Sequence, residues 1–221
     1  MGTSARTHLV WDWNGTLLDD THAVVGATNA AFAEIGLAPI TVEQYRENYR
    51  VPIPTFYERF LGRLPTDAEW ERMDVVFHDH YTGLRIACGL TEGVAELLAG
   101  WPAAGRSQSL LSMYGHEHLV PVVREFGIER HFVRVDGRTG PSGGSKTLHM
   151  ERHFAALDGI APEHAVIIGD AVDDAVAAAH VGARAVLYTG GSHSRAGLEV
   201  AGVPVVDTLA EAVALAAEIV R

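Results

Sequence analysis

Short apolar runs alternate with longer segments of helical periodicity over most of the chain. The runs contain many β-branched residues and are bounded by Gly, Asn or Asp, which is typical of buried strands. The predicted strands are residues 7–12, 108–112, 132–136, 165–169, 185–188 and 203–206. The predicted helices are residues 91–101, 117–126, 146–157, 172–181 and 208–220. Strands that alternate with helices in this way predict a parallel sheet covered on both faces.

The segment between residues 20 and 87 departs from this alternation. It contains no convincing strand, and its apolar spacing is helical throughout. The predicted helices here are residues 23–35, 41–49, 55–61 and 66–84. We therefore expect a doubly wound α/β core made of residues 1–19 and 88–221, with residues 20–87 inserted as an α-helical cap.

Composition narrows the range of partners. The chain carries 28 acidic and 17 basic residues, a net charge of −11, which disfavours binding to nucleic acid or to an anionic membrane surface. No apolar run approaches the roughly 20 residues of a spanning helix, and the N-terminal MGTSARTHLV lacks the apolar region of a signal peptide. The single cysteine excludes an internal disulfide framework. We expect a cytoplasmic protein without a membrane partner.

Polar side chains follow several predicted strands and precede one predicted helix. Because the carboxyl ends of parallel strands share one edge of the sheet, these side chains are expected to converge there. They are Asp12, Asn14, Thr16, Ser112, Lys146, Asp170, Asp173 and Asp174.

Converging carboxylates repel each other unless a cation neutralises them. Oxygen ligands of this kind suit Mg²⁺, which binds one or two carboxylates and keeps its remaining positions for phosphate or water. Ser112 and Lys146 would then contact the phosphate. A single Asp at a strand end is often only a turn former, but several strand ends with matching chemistry favour a phosphoryl-transfer site.

Five segments together resemble the haloacid dehalogenase superfamily of aspartate-nucleophile phosphatases. The first motif, a strand followed by Asp-x-Asp-Gly-Thr, resembles HLVWDWNGTLLDD, and the fourth resembles VIIGDAVDDAVAAAHVGA. SLLSMYG is similar to the second motif at Ser112, and SGGSK to the third at Lys146. LTEGVAELLAGWPAAG resembles the helix that leads out of the cap. Residues 20–87 are similar to the helical cap of the phosphoglycolate phosphatase-like and β-phosphoglucomutase-like branch.

The resemblance implies a Mg²⁺-dependent phosphatase acting on a small phosphorylated metabolite. Asp12 would be the nucleophile that forms an aspartyl-phosphate. Mg²⁺ would be bound by Asp12, by the backbone carbonyl of Asn14 and by Asp170. Asp174 would contact the metal through water or from behind these ligands.

The resemblance also implies how the phosphate is held. Thr16 would lie in the turn that positions it. Ser112 and Lys146 would donate to the transferring oxygens, and Lys146 would also offset the charge on Asp12.

Arginines and histidines supply further candidates. Arg50, and after it Arg46, could recognise an anionic part of the substrate, although a solvated helix face also explains both. His116 follows the second motif closely enough to touch substrate. His149 and His153 share a helix face at a spacing of four residues and are expected on the surface.

Asn14 departs from the family pattern, which has a second Asp at this position. That carboxyl protonates the leaving group and then activates water, whereas an amide does not titrate. Such acid–base help contributes about 10² to 10⁴-fold to the rate. Activity could persist for substrates whose leaving group needs little protonation, such as acyl or anomeric phosphates, or another carboxylate, Asp19 or one in the cap, could reach in. The alternatives are other hydrolase or phosphotransferase chemistry on the same fold, or a non-catalytic phosphate-binding protein.

Overall fold

Strands and helices alternate along the chain in a computed structural model that describes residues 7–142 and 144–219. Its strands are β1 (His8–Trp11), β2 (Leu18–Asp19), β3 (Gly89–Leu90), β4 (Ser107–Gly115), β5 (Val135–Arg138), β6 (Ala165–Gly169), β7 (Arg184–Tyr188) and β8 (Val205–Val206). Its helices are α1 (Thr21–Glu34), α2 (Val42–Asn48), α3 (Ile53–Leu61), α4 (Asp67–Arg85), α5 (Val94–Ala103), α6 (His116–Glu125), α7 (Thr147–Ala155), α8 (Val172–Val181), α9 (Arg195–Glu199) and α10 (Leu209–Ile219). None of these helices combines the length and apolar character that a membrane crossing requires.

Six strands form one parallel sheet in the order β5-β4-β1-β6-β7-β8. Side chains of a strand point alternately to the two faces of a sheet, and β1 shows this directly. Leu9 and Trp11 pack with residues of α5, α6 and α10, whereas Val10 packs with residues of α7, α8 and α9. The predicted doubly wound parallel sheet is therefore confirmed.

The predicted strand at residues 132–136 is shifted toward the C-terminus. A short 3₁₀ turn occupies Glu129–His131, so regular pairing with β4 begins only after it. The first hydrogen bond to β4 runs from the amide of Val133 to the carbonyl of Gln108, at 2.9 Å. The predicted end of the last helix, at residue 220, lies outside the described residues.

The four helices α1–α4 form a layer between β2 and β3, which pair as a small antiparallel sheet. Their own core is aromatic: the ring of Phe32 lies with its centroid 6.1 Å from Phe56, 5.6 Å from Tyr57 and 5.0 Å from Phe60. The division of the chain at residues 19/20 and 87/88 stays a prediction, and β2 and β3 lie directly beside it.

His153 is buried beneath the sheet, so its expected surface position was wrong. Its Nδ1 lies 2.7 Å from a carboxylate oxygen of Asp136, and its Nε2 lies 2.7 Å from the Ser109 hydroxyl. The same hydroxyl lies 2.8 Å from Nε2 of His8, whose Nδ1 lies 2.8 Å from the Ser107 hydroxyl. With both imidazoles neutral, the hydrogen bonds run in one direction along this chain, and every buried polar atom in it has a partner.

Candidate active site

Seven of the eight predicted side chains, all but Thr16, line one cavity of about 230 Å³ at the carboxyl edge of the sheet. Asn14 and Asp173 are two of the seven, and the other five lie on or beside five different elements. β1 ends immediately before the first of them, β4 carries the second, the third immediately precedes α7, β6 ends immediately before the fourth, and the first turn of α8 carries the last. They are Asp12, Ser112, Lys146, Asp170 and Asp174. Residues far apart in the chain thus meet because parallel strands deliver them to one edge.

Lys146 bridges two carboxylates at the base of this cavity. Its Nζ lies 2.5 Å from Oδ1 of Asp12 and 2.6 Å from Oδ1 of Asp174. Burial alone would lower the pKa of Lys146, but the two carboxylates raise it above its ordinary value. Lys146 is therefore an ammonium ion that holds Oδ1 of Asp12 and leaves Oδ2 for a ligand.

One ammonium does not balance the charge of the cluster. Asp12, Asp170 and Asp174 each place a carboxylate oxygen within 4.8 Å of the others. Burial, together with the charges of Asp174 and Asp170, raises the pKa of Asp12 despite the attraction of Lys146. Burial, and next the charge of Asp174, raises the pKa of Asp170 to about 6. A divalent cation among these oxygens would remove the cause of both shifts, so this donor set fits Mg²⁺.

The turn after β1 and a loop after β7 hold Asp170 in place. The Thr16 hydroxyl donates to Oδ1 of Asp170 at 3.3 Å, and the amide of Ser192 donates to Oδ2 at 2.5 Å. Gly15 has a φ of 67°, and a Cβ at this position would lie 2.6 Å from Oδ2 of Asp170. The glycine of the first motif is therefore required by both backbone conformation and space. Thr16 contacts Asp170 and does not line the cavity.

Asn14 lines the cavity beside a buried carboxylate and a tyrosine that the sequence did not single out. Its Nδ2 donates to Oδ2 of Asp20 and to the Tyr81 hydroxyl, at 2.6 Å each, and that hydroxyl donates to the same oxygen of Asp20 at 2.6 Å. The amide of Gly15 donates to Oδ1 of Asp20 at 2.7 Å. Burial raises the pKa of Asp20 against the lowering effect of these hydrogen bonds. Asp19, the carboxylate named from the sequence, is exposed.

This arrangement settles which atom Asn14 can offer to a ligand. Both hydrogens of its amide nitrogen are used by Asp20 and Tyr81, so the carbonyl oxygen is the group left for the cavity. The only sequence signal for Asp20 is the pair of acidic residues after the first motif, and nothing in the spacing of α4 singles out Tyr81.

The two cap arginines lie outside the cavity. Arg50 is exposed and donates to backbone carbonyls of Glu47 and Tyr49. Arg46 crosses from the cap to the core, where its guanidinium donates to the carbonyls of Gly191, at 2.8 Å, and Gly190, at 2.7 Å. Arg46 therefore fastens α2 to the loop that also holds Asp170.

His116 faces a second, smaller group of side chains. Its Nδ1 accepts a hydrogen bond from the amide of Gly137 at 3.0 Å, and it lines a separate cavity together with His149, Arg134 and Arg152. The structure does not bring His116 to the cluster around Asp12.

The cap end of the main cavity is lined by aromatic side chains that the sequence did not predict to face it. They are Tyr45, Tyr49, Phe56, Tyr57, Trp70 and Phe77.

Comparison with known proteins identifies the family of the chain. Residues 7–182 match the haloacid dehalogenase-like hydrolase family. The chain is 26% identical over 213 residues to phosphoglycolate phosphatase 1 of Pseudomonas aeruginosa, an alignment that covers 91% of this chain and 76% of that protein. It is 28% identical over 173 residues to the tyrosine-protein kinase PtkA of Mycobacterium tuberculosis, which covers 77% of this chain and 58% of that protein.

Solved structures show the same architecture. The structure of M. tuberculosis PtkA superposes with a TM-score of 0.76 at 26% identity, covering 96% of this chain and 99% of that one. A haloacid dehalogenase-like hydrolase from Streptococcus pneumoniae superposes with a TM-score of 0.77 at 18% identity, again covering 96% and 99%. Because the family match covers most of this chain, the chain belongs to the haloacid dehalogenase-like hydrolases, as its four motifs had indicated.

Proposed function

We propose that the protein is a Mg²⁺-dependent phosphatase that hydrolyses a small phosphorylated metabolite through an aspartyl-phosphate on Asp12. The observation that carries this proposal is the Lys146 ammonium bound to both Asp12 and Asp174, with Asp170 beside them in the same cavity. This cluster supplies a nucleophile, a fixed cation and a set of oxygen ligands at one place.

Lys146 orients the nucleophile. Because its ammonium holds Oδ1 of Asp12, Oδ2 is the oxygen that attacks phosphorus. The new bond joins this oxygen to phosphorus, while the bond from phosphorus to the leaving-group oxygen breaks and that oxygen takes the electron pair. Ser112 lines the cavity wall and would donate to a phosphoryl oxygen.

Asp12, Asp170 and the backbone carbonyl of Asn14 would bind Mg²⁺, with Asp174 behind them. When bound, the metal would neutralise charge on the phosphoryl oxygens. The raised pKa values of Asp12 and Asp170 support this assignment, because burial and mutual repulsion leave these groups short of a cation.

Asn14 limits the reaction. It cannot protonate the leaving group, and its carbonyl oxygen can accept a hydrogen bond from water but cannot take up the proton. In the second half-reaction, water attacks phosphorus, the bond from phosphorus to Oδ2 of Asp12 breaks and its electron pair returns to the carboxylate, and inorganic phosphate leaves while the proton lost by water goes to phosphate or solvent. Without a titrating group at residue 14, both halves are slower for ordinary esters, so the activity is slow or restricted to substrates with a stable leaving group.

Acetyl phosphate tests this proposal because its leaving group needs no protonation. Phosphate release is expected with the purified protein and Mg²⁺, and is expected to stop with EDTA or in the Asp12→Asn variant. Acid-quenched protein should carry phosphate on Asp12, detectable by peptide mass spectrometry. The proposal fails if folded wild-type protein neither releases phosphate nor becomes phosphorylated.

Phosphotransfer to an acceptor other than water is the second candidate. Asn14 removes the group that would activate water, and the chain resembles a protein named as a tyrosine-protein kinase. This function predicts a phosphorylated Asp12 that is stable in buffer and loses its phosphate rapidly when the acceptor is added. Rapid decay in buffer alone would favour the phosphatase.

A further inference from the structure

The main cavity as a whole exceeds the volume that an aromatic ring needs, and its cap end is lined by aromatic side chains. An apolar cavity of about 150 Å³ binds benzene, and this cavity measures about 230 Å³. Its aromatic wall comes from α2 and the residue that follows it, from α3 and from α4, through the six rings named above.

Packing against each other holds these rings in position. The ring of Phe56 lies 5.3 Å from that of Tyr45 and 5.4 Å from that of Tyr57, measured between centroids. Phe77 stacks on Tyr81 at 5.9 Å, with the two planes only 2° apart. Since the Tyr81 hydroxyl bonds Asn14, the aromatic wall continues directly from the proposed phosphoryl-transfer centre. A flat apolar group attached to the phosphate would meet preorganised ring surfaces.

Among the described residues, His78 is the basic side chain that the cap contributes to the cavity, and its Nε2 lies 3.5 Å from Oδ1 of Asp74. The cap contains six arginines and no lysine, all six arginines lie within the described residues, and none of them lines the cavity. Arg138 does line it, but this side chain comes from the core and donates to the carbonyls of Met113 and Gly140. A second anionic group on the substrate would therefore find no cap arginine or lysine in the cavity, and both His78 and Arg138 act on Asp74, which lowers its pKa.

A carboxylate at the cap end reinforces this selection. Asp74 lines the cavity and accepts a hydrogen bond from the Ser142 hydroxyl at 2.6 Å. Burial works against ionisation, but His78 and Ser142 lower the pKa of Asp74, so it is charged at neutral pH. Its negative charge repels a carboxylate or a second phosphate on the substrate.

The chemistry at Asn14 selects for the same compounds. A phenol has a pKa near 10, whereas an alcohol lies closer to water at about 16. A phenolate therefore departs with far less need for a proton donor than an alkoxide, and Asn14 supplies none. The form of the cavity and the missing acid are independent observations.

We infer that this site acts on aryl phosphate monoesters, in which an uncharged aromatic group is attached directly to the phosphate oxygen. This inference rests on the proposed phosphatase function and adds the substrate class. In the bound state the ring lies among Tyr57, Trp70 and Phe77, and the phosphate lies at Asp12.

A substrate panel tests it. Values of kcat/KM would be measured with Mg²⁺ for phenyl phosphate, 2-naphthyl phosphate, glycerol 3-phosphate and phosphoglycolate, with acetyl phosphate as the reporter of the core chemistry. The aryl esters are expected to exceed the two alkyl esters by on the order of 100-fold. If acetyl phosphate is turned over while phosphoglycolate or glycerol 3-phosphate equals the aryl esters, the substrate class is wrong although the phosphatase stands.

Binding separates the two proposals without turnover. Phenylphosphonate and phosphonoacetate cannot be hydrolysed, and calorimetry with wild-type protein and Mg²⁺ would compare them. Phenylphosphonate is expected to bind at least about tenfold more tightly. Equal binding of the two compounds, or tighter binding of phosphonoacetate, would contradict the inferred substrate class whether or not acetyl phosphate is turned over. A lack of acetyl phosphate turnover alone would contradict only the proposed function.

Variants of α4 locate the aromatic subsite. Trp70→Ala is expected to lower the ratio of kcat/KM for 2-naphthyl phosphate to that for acetyl phosphate about tenfold. Phe77→Leu keeps an apolar side chain and should lower the same ratio about threefold, which guards against loss of folding in the first variant. Val75→Ala, at a position 59% exposed on the same helix, is the matched control and should leave the ratio unchanged. An unchanged ratio in both cavity variants would place the ring elsewhere and refute the assignment.

Discussion

The two ends of the cavity differ in the kind of side chain that lines them. The core end gathers charged residues from distant parts of the chain, and every one of them has a charged partner within a few ångströms. The cap end gathers aromatic rings from the segment that runs from α2 to α4, with its one carboxylate bound to neighbouring polar groups. This difference indicates that the core end makes and breaks the bonds to phosphorus, whereas the cap end selects the substrate.

The seam between the two ends is the place where Asn14 donates to Tyr81. If this division holds, changes at the core end act on all substrates alike, whereas changes at the seam or in the cap act unequally. Asp12→Asn should give the largest uniform effect, a loss of kcat of about 10⁴-fold or more for acetyl and aryl phosphates, because an amide is not a nucleophile. Phosphate release assays would measure it, with the exposed Asp158→Asn as control.

The same variant should not lose stability. Because burial and neighbouring charges raise the pKa of Asp12, a neutral amide there relieves repulsion, and the metal-free variant is expected to melt no lower than wild type. Retention of more than a tenth of the activity would contradict the role of Asp12 as the nucleophile. A marked fall in melting temperature would contradict the expected relief of charge repulsion at this position.

Asn14→Asp is expected to act unequally. Its new carboxyl would lie beside Oδ2 of Asp20, and repulsion between the two would raise its pKa and favour a proton donor. Hydrolysis of glycerol 3-phosphate should rise about 100-fold, whereas acetyl phosphate should change by less than about tenfold. Equal gains for both substrates would show that Asn14 does not discriminate by leaving group.

The strands that carry the core end also contribute to the buried histidine chain, in which His8 and His153 are joined through the Ser109 hydroxyl. Burial, and next the proximity of His153, lowers the pKa of His8 from 6.5 to about 3. Above pH 6.5 neither state binds the proton. Below it the unfolded chain takes up a proton that the folded chain refuses, so the free energy of unfolding should fall by about 1.4 kcal/mol per pH unit until pH 3.

Urea denaturation at pH 7 and pH 5 checks this dependence. The contribution of His8 between these values is about 2 kcal/mol, and His8→Asn should abolish that part while lowering stability at pH 7 through lost hydrogen bonds. His80→Asn removes an exposed histidine and should retain the wild-type dependence. Identical pH profiles for His8→Asn and wild type would count against a neutral His8.

Tyr81→Phe probes the seam between the two ends, with the smallest expected effect. It removes the hydroxyl that donates to Asp20 and accepts from Asn14, at a cost of about 1 kcal/mol in unfolding free energy. Because Asn14 then regains a free hydrogen, kcat should fall about fivefold with little change in KM for acetyl phosphate. A change confined to KM would make Tyr81 a substrate contact instead of a residue that positions Asn14.

The sheet and the core end could be predicted because both follow from local rules. Strand ends in a parallel sheet must share an edge, so Asp12, Ser112 and Asp170 could be brought together from their positions after apolar runs. Lys146 followed from its place at the start of a helix on the same edge.

The cap end and the buried polar groups could not be predicted in the same way. Helical spacing shows that Tyr57 and Trp70 face inward, but whether an inward ring meets the cap's own core or the cavity depends on the angles between helices. His153 lies four residues from His149, yet burial of one and partial exposure of the other depend on the Asp136 and Ser109 partners, which come from other strands. Asp20 differs from Asp19 by one position in a turn, which no periodicity resolves.

The loop after β7 limits how freely this cap could be exchanged in protein engineering. The cap contacts this loop through Arg46, which donates to the carbonyls of Gly190 and Gly191. The amide of the next residue, Ser192, donates to Asp170. Gly191 cannot be replaced by a residue with a side chain unless Asp170 moves, because a Cβ there would lie 2.1 Å from Oδ2 of Asp170. A foreign cap grafted onto this core would therefore need its own donor to the carbonyls of Gly190 and Gly191, or a redesigned loop, before the core chemistry survives the transplant.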